Sequence, residues 1–212
     1  MIVIAHRGAS GYAPENTLRS FSLALQMKAV MIELDVQVCK SGELIIFHDD
    51  TIDRFTSDRY RVSDVTFRQI HEYQYFHDNP VPLLSEVIEL VDGKIPINIE
   101  IKMKGISQKV IECLQPYFKN QQRKYKDFVI SSFHLSEIEY FFSHASEIPR
   151  SLLFESEDEI DYQLIKTLSP ISVSVCHEFL SQKTIQQLHS MNLQVLTYTV
   201  NAKKRLNELE KL

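Results

Sequence analysis

From residue 95 onward the chain alternates short β-rich runs with longer segments of helical periodicity. The β-rich runs cover residues 95–102, 127–133, 150–155, 171–177 and 193–200. In the segments between them, apolar side chains recur at steps of three and four residues, as on one face of a helix; these segments are 106–118, 135–144 and 181–191. Strands that alternate with helices in this way predict βα units built around a parallel sheet.

The first 95 residues continue the same rhythm and complete the fold prediction. We expect seven main strands, near residues 2–6, 30–36, 96–102, 128–133, 150–155, 171–176 and 194–199. A (β/α)₈ barrel has eight strands and typically about 250 residues. The prediction is therefore one α/β domain over residues 1–212, a TIM-type barrel that lacks its eighth strand. A doubly wound open sheet is the structural alternative.

Residues 53–82 interrupt the alternation with aromatic and charged residues and with prolines at 80 and 82. We predict that this segment is a small insertion at the rim of the barrel.

Charge and hydropathy exclude several classes of protein. The net charge is −5, and no basic run is longer than residues 203–205, whereas nucleic-acid-binding proteins usually carry a clustered basic face. No run approaches the roughly 18 apolar residues of a membrane span, and the first residues do not have the pattern of a signal peptide. We therefore expect a cytoplasmic protein with no nucleic-acid partner and no stable membrane insertion.

Carboxylates alternate with apolar residues on two of the predicted strands. Glu33 and Asp35 lie two residues apart in VMIELDV, and Glu100 lies between Asn98 and Lys102 in NIEIK. Successive strand residues point to opposite faces, so each set shares one face. Carboxylates brought together without a partner repel one another, whereas a hard divalent cation with oxygen ligands keeps them ionised. We therefore predict a Mg²⁺ or Ca²⁺ site at Glu33, Asp35 and Glu100.

Two histidines follow strand-like runs: His6 follows IVIA and His48 follows LIIF. Catalysis in βα barrels takes place at the carboxyl ends of the strands, and imidazole is suited to proton transfer near neutral pH. The sequence thus predicts that His6 and His48 serve as acid and base. Arg7 and Lys102 would add positive charge for an anionic group such as a phosphate.

Four motifs, in order along the chain, resemble the glycerophosphodiester phosphodiesterase family. They are HRGASGYAPENT (6–17), ELDVQVCKSGELIIFHDDTIDRFT (33–56), VPLLSEVIEL (81–90) and NIEIK (98–102). The similarity is close over residues 2–102 and looser from 130–133 to 195–201. It implies a TIM-type barrel with a small inserted segment, and hydrolysis of a small-molecule glycerophosphodiester to glycerol 3-phosphate and an alcohol.

The resemblance also implies roles for individual residues. His6 and His48 match the acid/base pair of the family, and Glu33, Asp35 and Glu100 match its divalent-metal ligands. Residues that match substrate contacts are Arg7, Lys102, Phe133 and Tyr198. Glu15 and Asn16 match the loop that supports the end of the first strand; a capping role for Asn16 on the following helix is the alternative. Gly8 and Gly11 are expected to permit a tight turn near the phosphate.

Two departures from the family pattern stand out. Tyr198 occupies a position where the family usually has tryptophan, which leaves the substrate preference open. The family's last strand, of GVDGI type, is not found in the sequence, so we expect an open seam between the first and seventh strands. A truncated or recoded chain, an edge supplied by a neighbouring protomer, and a degenerate protein would each explain the seam, and the second would make the protein a homodimer.

Two other functions remain as alternatives. The first is a phospholipase C/D-like phosphodiesterase that acts on a lysophospholipid, for which aromatic residues of the rim insertion would form a lipid-facing lip. These residues are Phe55, Tyr60, Phe67, Tyr73, Tyr75 and Phe76. The second is a non-catalytic barrel protein that binds phosphate.

Overall fold

The structure, a computed structural model, describes residues 2–54, 59–72 and 79–211. Its strands are Ile32–Val38 (β1), Leu44–Ile46 (β2), Ile97–Ile101 (β3), Phe128–Ser132 (β4), Arg150–Phe154 (β5), Ser172–Cys176 (β6) and Gln194–Tyr198 (β7). Its α-helices are Leu18–Gln26 (α1), Phe67–Glu72 (α2), Leu84–Val91 (α3), Ser107–Lys119 (α4), Leu135–His144 (α5), Tyr162–Leu168 (α6), Gln182–Ser190 (α7) and Lys203–Leu209 (α8). Short 3-10 helices cover Val62–Asp64, Tyr125–Asp127, Glu157–Glu159 and His177–Phe179.

The seven strands form one sheet in the order β2-β1-β3-β4-β5-β6-β7. Six of these strands, β1 and β3 to β7, are parallel to their neighbours in this series. Strand β2 runs antiparallel beside β1. The parallel strands follow one another in chain order, as in a βα barrel, whereas a doubly wound sheet reverses its order at a switch point. The fold is therefore the predicted TIM-type barrel, and its sheet does not close within the described residues.

The first predicted strand, at residues 2–6, is reduced to a single parallel bridge between Ala5 and Ile32. Ala5 N donates to Met31 O at 2.9 Å, and Glu33 N donates to Ala5 O at 2.9 Å. Ile2 and Val3, by contrast, are exposed. Without further ladder bonds along the sheet, this segment does not qualify as a strand, yet the bridge at Ala5 still anchors the residues that follow it.

The hydrophobic core lies between the outer face of the sheet and the surrounding helices. Its largest fully buried side chains include Phe21 of α1, Phe141 of α5 and Ile99 of β3. Helix α1 begins with a capping box, in which Thr17 Oγ1 accepts from Ser20 N and Ser20 Oγ accepts from Thr17 N. Thr17 rather than Asn16 caps the helix, so the capping alternative for Asn16 is wrong.

The predicted insertion at 53–82 contains the 3-10 helix Val62–Asp64 and α2 in its described part. Apolar side chains from it pack with residues of the β1-β2 hairpin into a second, smaller core; the buried members are Cys39, Ile45, Phe47, Ile52, Val62, Val65, Ile70 and Val81. Of the aromatic residues proposed as a lip, Phe67 packs against this small core and Tyr60 is exposed. Phe55, Tyr73, Tyr75 and Phe76 lie outside the described residues. Within the described ranges, every helix is too short or too polar to cross a bilayer.

Candidate active site

Three carboxylates meet on the inner face of two neighbouring strands. In the parallel register of β1 and β3, Asp35 lies beside Glu100, and Glu33 lies beside Asn98. Each of the residues Glu33, Asp35 and Glu100 is buried, and each offers one oxygen that lies within 4.8 Å of the others'. The two-residue period of a strand aims these side chains inward while Leu34 is buried in the hydrophobic core.

Burial and mutual repulsion disfavour the ionised form of carboxyl groups in this cluster. Burial, followed by the charges of Asp35 and Glu100, raises the pKa of Glu33 well above its ordinary value. Burial and then the charge of Asp35 also raise the pKa of Glu100. In addition, Glu33 Oε1 and Asp35 Oδ1 are buried and accept no hydrogen bond from any residue that the structure describes. Carboxylate oxygens without a hydrogen bond are suitable ligands for a hard divalent cation, so the three residues could hold Mg²⁺ or Ca²⁺.

Arg7 and Asn16 fix the positions of two of these carboxylates. Arg7 N donates to Glu33 Oε2 at 2.8 Å, and Arg7 Nε lies 3.2 Å from Asp35 Oδ2. Asn16 Nδ2 donates to the same Asp35 oxygen at 2.8 Å. Both Arg7 and Asn16 have positive φ angles, 56° and 57°. The turn that follows Ala5 thus supplies the groups that orient the inner face of β1.

Lys102, at the end of β3, completes the charged cluster. Lys102 Nζ donates to Glu100 Oε1 at 2.8 Å and lies 3.7 Å from Asp35 Oδ1. Burial disfavours the charged form of this lysine, but the carboxylates of Glu100 and Asp35 outweigh that effect and raise the pKa of Lys102. Lys102 therefore remains protonated and available to an anionic ligand.

The aromatic residues expected at the substrate lie beside this lysine. Lys102 Nζ is 5.9 Å from the centre of the Phe133 ring. The rings of Phe133 and Tyr198 meet edge to face with centroids 5.9 Å apart, and Tyr198 Oη donates to Phe154 O at 2.8 Å. The hydroxyl group that distinguishes Tyr198 from tryptophan is thus tied to the end of β5.

His6 lies against the carboxylate cluster. Its Nε2 is 3.9 Å from Glu33 Oε2, and its Nδ1 is 3.5 Å from Thr199 Oγ1. Burial, and then the positive charge of Arg7, lowers the pKa of His6 to about 4. The imidazole is therefore neutral at neutral pH and can accept a proton.

The predicted position of His48, at the carboxyl end of a parallel strand, is wrong. The run LIIF forms β2, which is antiparallel to β1, with Phe47 N donating to Asp35 O at 2.9 Å. A three-residue strand carries too little pattern to reveal its direction, and the turn at Gly42, with φ of 99°, reverses the chain. The hairpin returns His48 to the level of Asp35, where a positive charge on its imidazole would lower the pKa values of both His6 and Glu100.

Sequence reasoning missed an ion-pair network beside the two histidines. His48 Nδ1 lies 2.8 Å from Asp49 Oδ1, Arg54 contacts both Asp49 and Glu15, and Glu15 in turn contacts Arg7. The doubled acid after the histidine, in HDD, was the only local signal. Charged residues far apart in the sequence do not reveal which of them pair.

Gly8 illustrates how tightly the turn after Ala5 is packed. Its φ is 80°, and a Cβ added there would lie 2.8 Å from the backbone carbon of Ser20. We expect Gly8→Ala to lower the free energy of unfolding by about 1–3 kcal/mol, because both the backbone angle and the contact are unfavourable. Denaturant unfolding measures this change.

Gly11 is the matched control for that substitution, since a Cβ there meets no atom of the described residues within 4 Å and its φ is not positive. Gly11→Ala should change the free energy of unfolding by no more than about 0.5 kcal/mol. Equal effects at the two positions would contradict the role given to Gly8. Because only Gly8 of the two has a positive φ and a close contact, the expectation that the turn requires glycine is met at Gly8 and not at Gly11.

Comparison with known proteins identifies relatives over the whole chain. Residues 6–212 match the model of the glycerophosphoryl diester phosphodiesterase family. YhdW of Bacillus subtilis (strain 168) is 30% identical over 99% of this chain and 90% of its own length. A glycerophosphodiester phosphodiesterase of the same organism is 29% identical over 99% of this chain and 80% of its own.

Among solved structures, a phosphodiesterase of Oleispira antarctica in complex with the product sn-glycerol 3-phosphate superposes with a TM-score of 0.87. It is 25% identical, and the match covers 100% of this chain and 89% of that one.

Proposed function

Because the chain belongs to the glycerophosphoryl diester phosphodiesterase family, we propose that it hydrolyses glycerophosphodiesters to glycerol 3-phosphate and an alcohol. The observation that carries this proposal is the convergence of Glu33, Asp35 and Glu100, which are buried and lie within 4.8 Å of one another, beside His6 and Lys102. The glycerol 3-phosphate in the related structure from Oleispira antarctica supports the same substrate class.

The proposed phosphate contacts are Arg7 and Lys102. Both side chains are largely buried and both reach the carboxylate of Asp35, Arg7 from the turn after Ala5 and Lys102 from the end of β3. A phosphodiester carries one negative charge, and more charge develops on its non-bridging oxygens as the bond to the alcohol breaks. Fixed cations that face these oxygens stabilise that charge, which is usually the largest contribution to catalysis.

His6 and His48 are proposed as the acid/base pair. One imidazole accepts the proton of the attacking hydroxyl group, which belongs to water or to the glycerol of the substrate. If the glycerol hydroxyl group attacks, a cyclic phosphodiester forms, and a water molecule then opens it to give glycerol 3-phosphate. The other imidazole donates a proton to the departing alkoxide, so that the alcohol leaves neutral. His48 suits such a role because Asp49 holds its Nδ1 and leaves Nε2 for the reaction.

The proposed metal ligands are Glu33, Asp35 and Glu100. A Mg²⁺ or Ca²⁺ ion bound there would supply further positive charge to the phosphate. The unsatisfied oxygens Glu33 Oε1 and Asp35 Oδ1 support this assignment. Among the described residues, neither oxygen accepts a hydrogen bond, and Lys102 Nζ approaches Asp35 Oδ1 only to 3.7 Å.

An activity assay tests the proposal. The purified protein, incubated with glycerophosphocholine or glycerophosphoethanolamine and with Mg²⁺ or Ca²⁺, should release glycerol 3-phosphate, which a coupled dehydrogenase detects. A lysophospholipid offered in parallel tests the phospholipase-like alternative. Release of glycerol 3-phosphate from neither diester, with any of these ions, would contradict the proposal and favour a non-catalytic phosphate-binding protein.

Three further expectations stay predictions: the cytoplasmic location, the homodimer and the absence of a nucleic-acid partner.

A further inference from the structure

We infer that Arg54 is a positioning residue, which bridges Asp49 and Glu15 and thereby holds His48 and Arg7 in place together. This inference rests on the proposed function, because it takes His48 and Arg7 as parts of the reacting site. It assigns a role to the first residues of the rim insertion.

The first half of the bridge joins Arg54 to the histidine. Arg54 Nη2 donates to Asp49 Oδ1 at 2.9 Å, and Arg54 Nε pairs with Asp49 Oδ2. Two parallel contacts of this kind fix the plane of the carboxylate as well as its position. The same oxygen, Asp49 Oδ1, lies 2.8 Å from His48 Nδ1. The orientation of the imidazole therefore follows that of the carboxylate, and the carboxylate follows Arg54.

The second half joins the same guanidinium to Arg7. Arg54 Nη1 donates to Glu15 Oε1 at 2.9 Å, and Arg7 Nη1 donates to that oxygen at 3.1 Å. The same Arg7 side chain forms an ion pair with Asp35, in which Nε lies 3.2 Å from Oδ2. Glu15 thus separates two arginines that would otherwise repel each other, and it keeps the Arg7 guanidinium directed towards the carboxylate cluster.

Only a planar fork of donors satisfies both carboxylates at once. Arginine presents its donors in a fixed plane, whereas lysine places one rotatable ammonium group at a single point. The Arg54 side chain is 42% exposed, and ion pairs as accessible as this contribute little to the stability of a fold. We therefore expect the network to contribute more to the orientation of His48 and Arg7 than to the stability of the fold. Removing it should affect catalysis far more than folding.

The main test compares Arg54→Met with Arg59→Met in the full chain. Arg59 belongs to the same segment, is 86% exposed, and has its charged neighbour Asp53 at 3.9 Å, so it is the matched control. Arg54→Met should lower kcat/KM for glycerophosphocholine about 10- to 100-fold, since outer contacts that orient a reactive group typically have effects of this size. Its midpoint of thermal unfolding should stay within about 3 °C of the wild type. Arg59→Met should leave both quantities unchanged.

Two further variants separate positioning from direct contact with the substrate. In the background Asp49→Asn/Glu15→Gln, Arg54→Met should lower kcat/KM by less than about 3-fold, because the bridge is already absent. The full 10- to 100-fold loss in that background would show that Arg54 acts directly on the substrate and would overturn the inference. Full recovery by Arg54→Lys would likewise overturn it, because charge alone would then suffice.

A spectroscopic measurement decides the arrangement whether or not the proposed function holds. In protein labelled with ¹⁵N-histidine, the Nδ1 resonance of His48 is identified by its loss in His48→Ala. We expect it to shift in Asp49→Asn and in Arg54→Met, and to keep its position in Arg59→Met. If the wild type hydrolyses neither diester, the proposed function fails while this spectrum still reports on the bridge. An unchanged resonance in Arg54→Met would contradict the inference.

Discussion

Replacement of His48 by alanine is expected to lower kcat by about 10²–10⁴-fold, the range typical of a lost general acid or base. The same loss is expected for His6→Ala. Each imidazole lies beside the carboxylate cluster or its supporting contacts, and each side chain is about one-third exposed. The hydrophobic core does not depend on either residue, so the variants should remain folded. Steady-state turnover of glycerophosphocholine at saturation, together with a thermal unfolding curve, measures both effects.

An exposed histidine elsewhere on the barrel provides the control. His189 lies on α7 and is exposed, so His189→Ala should leave kcat unchanged. If His6→Ala or His48→Ala retains near-normal turnover, the role proposed for that histidine is wrong. If a variant loses activity together with its cooperative unfolding, His→Gln at the same position repeats the test with less change in packing.

Removal of divalent cations is expected to abolish turnover, and Mg²⁺ or Ca²⁺ should restore it. A bound cation contributes several kcal/mol of charge stabilisation in such reactions, which corresponds to a loss of about 10³-fold or more in rate. Asp35→Asn should have an effect of similar size, because Asp35 is only 1% exposed and faces both Arg7 and Lys102. The assay is turnover in excess chelator, followed by titration with each cation.

Calorimetry with the cation alone separates binding from catalysis. Mg²⁺ or Ca²⁺ should bind the wild type, and Glu33→Gln or Asp35→Asn should weaken that binding. Glu89→Gln, at an exposed position on α3, is the control with the same change of charge. Full activity of the wild type in excess chelator would overturn the proposed cation, and unaltered binding in Glu33→Gln would overturn its assignment to these ligands.

The residues that line the inner face of the barrel were predictable because the side on which a strand residue lies depends on local geometry. Glu33 and Asp35, like Asn98 and Glu100, lie two positions apart with one residue between them, and the period of a strand alone places each pair on one side. The apolar residues between them identify both segments as buried strands. Long periodic helices such as α4 and α5 were predictable for the same reason, with boundaries within about two residues of those observed.

Other features depend on contacts between distant segments. Residues 2–6 have the composition of a strand, yet a strand also requires a neighbour, and Ala5 alone pairs with β1. The run that precedes His48 has the same composition, but its direction is set by the turn at Gly42 and by hydrogen bonds to β1. Composition cannot distinguish these outcomes, because each is decided by partners elsewhere in the chain.

Local patterns along the chain were enough to predict the class of fold, the face on which each carboxylate lies and the groups that could react. Those properties follow from the periods of strands and helices, which act over a few residues. The folded chain was needed to show that Asp35 and Glu100 lie side by side in the register of β1 and β3. It was also needed to show that a hairpin places His48 at the level of Asp35 and that Arg54 joins Asp49 to Glu15. Register, strand direction and ion pairing depend on the packing of the whole chain, which brings together residues that local periodicity leaves unrelated.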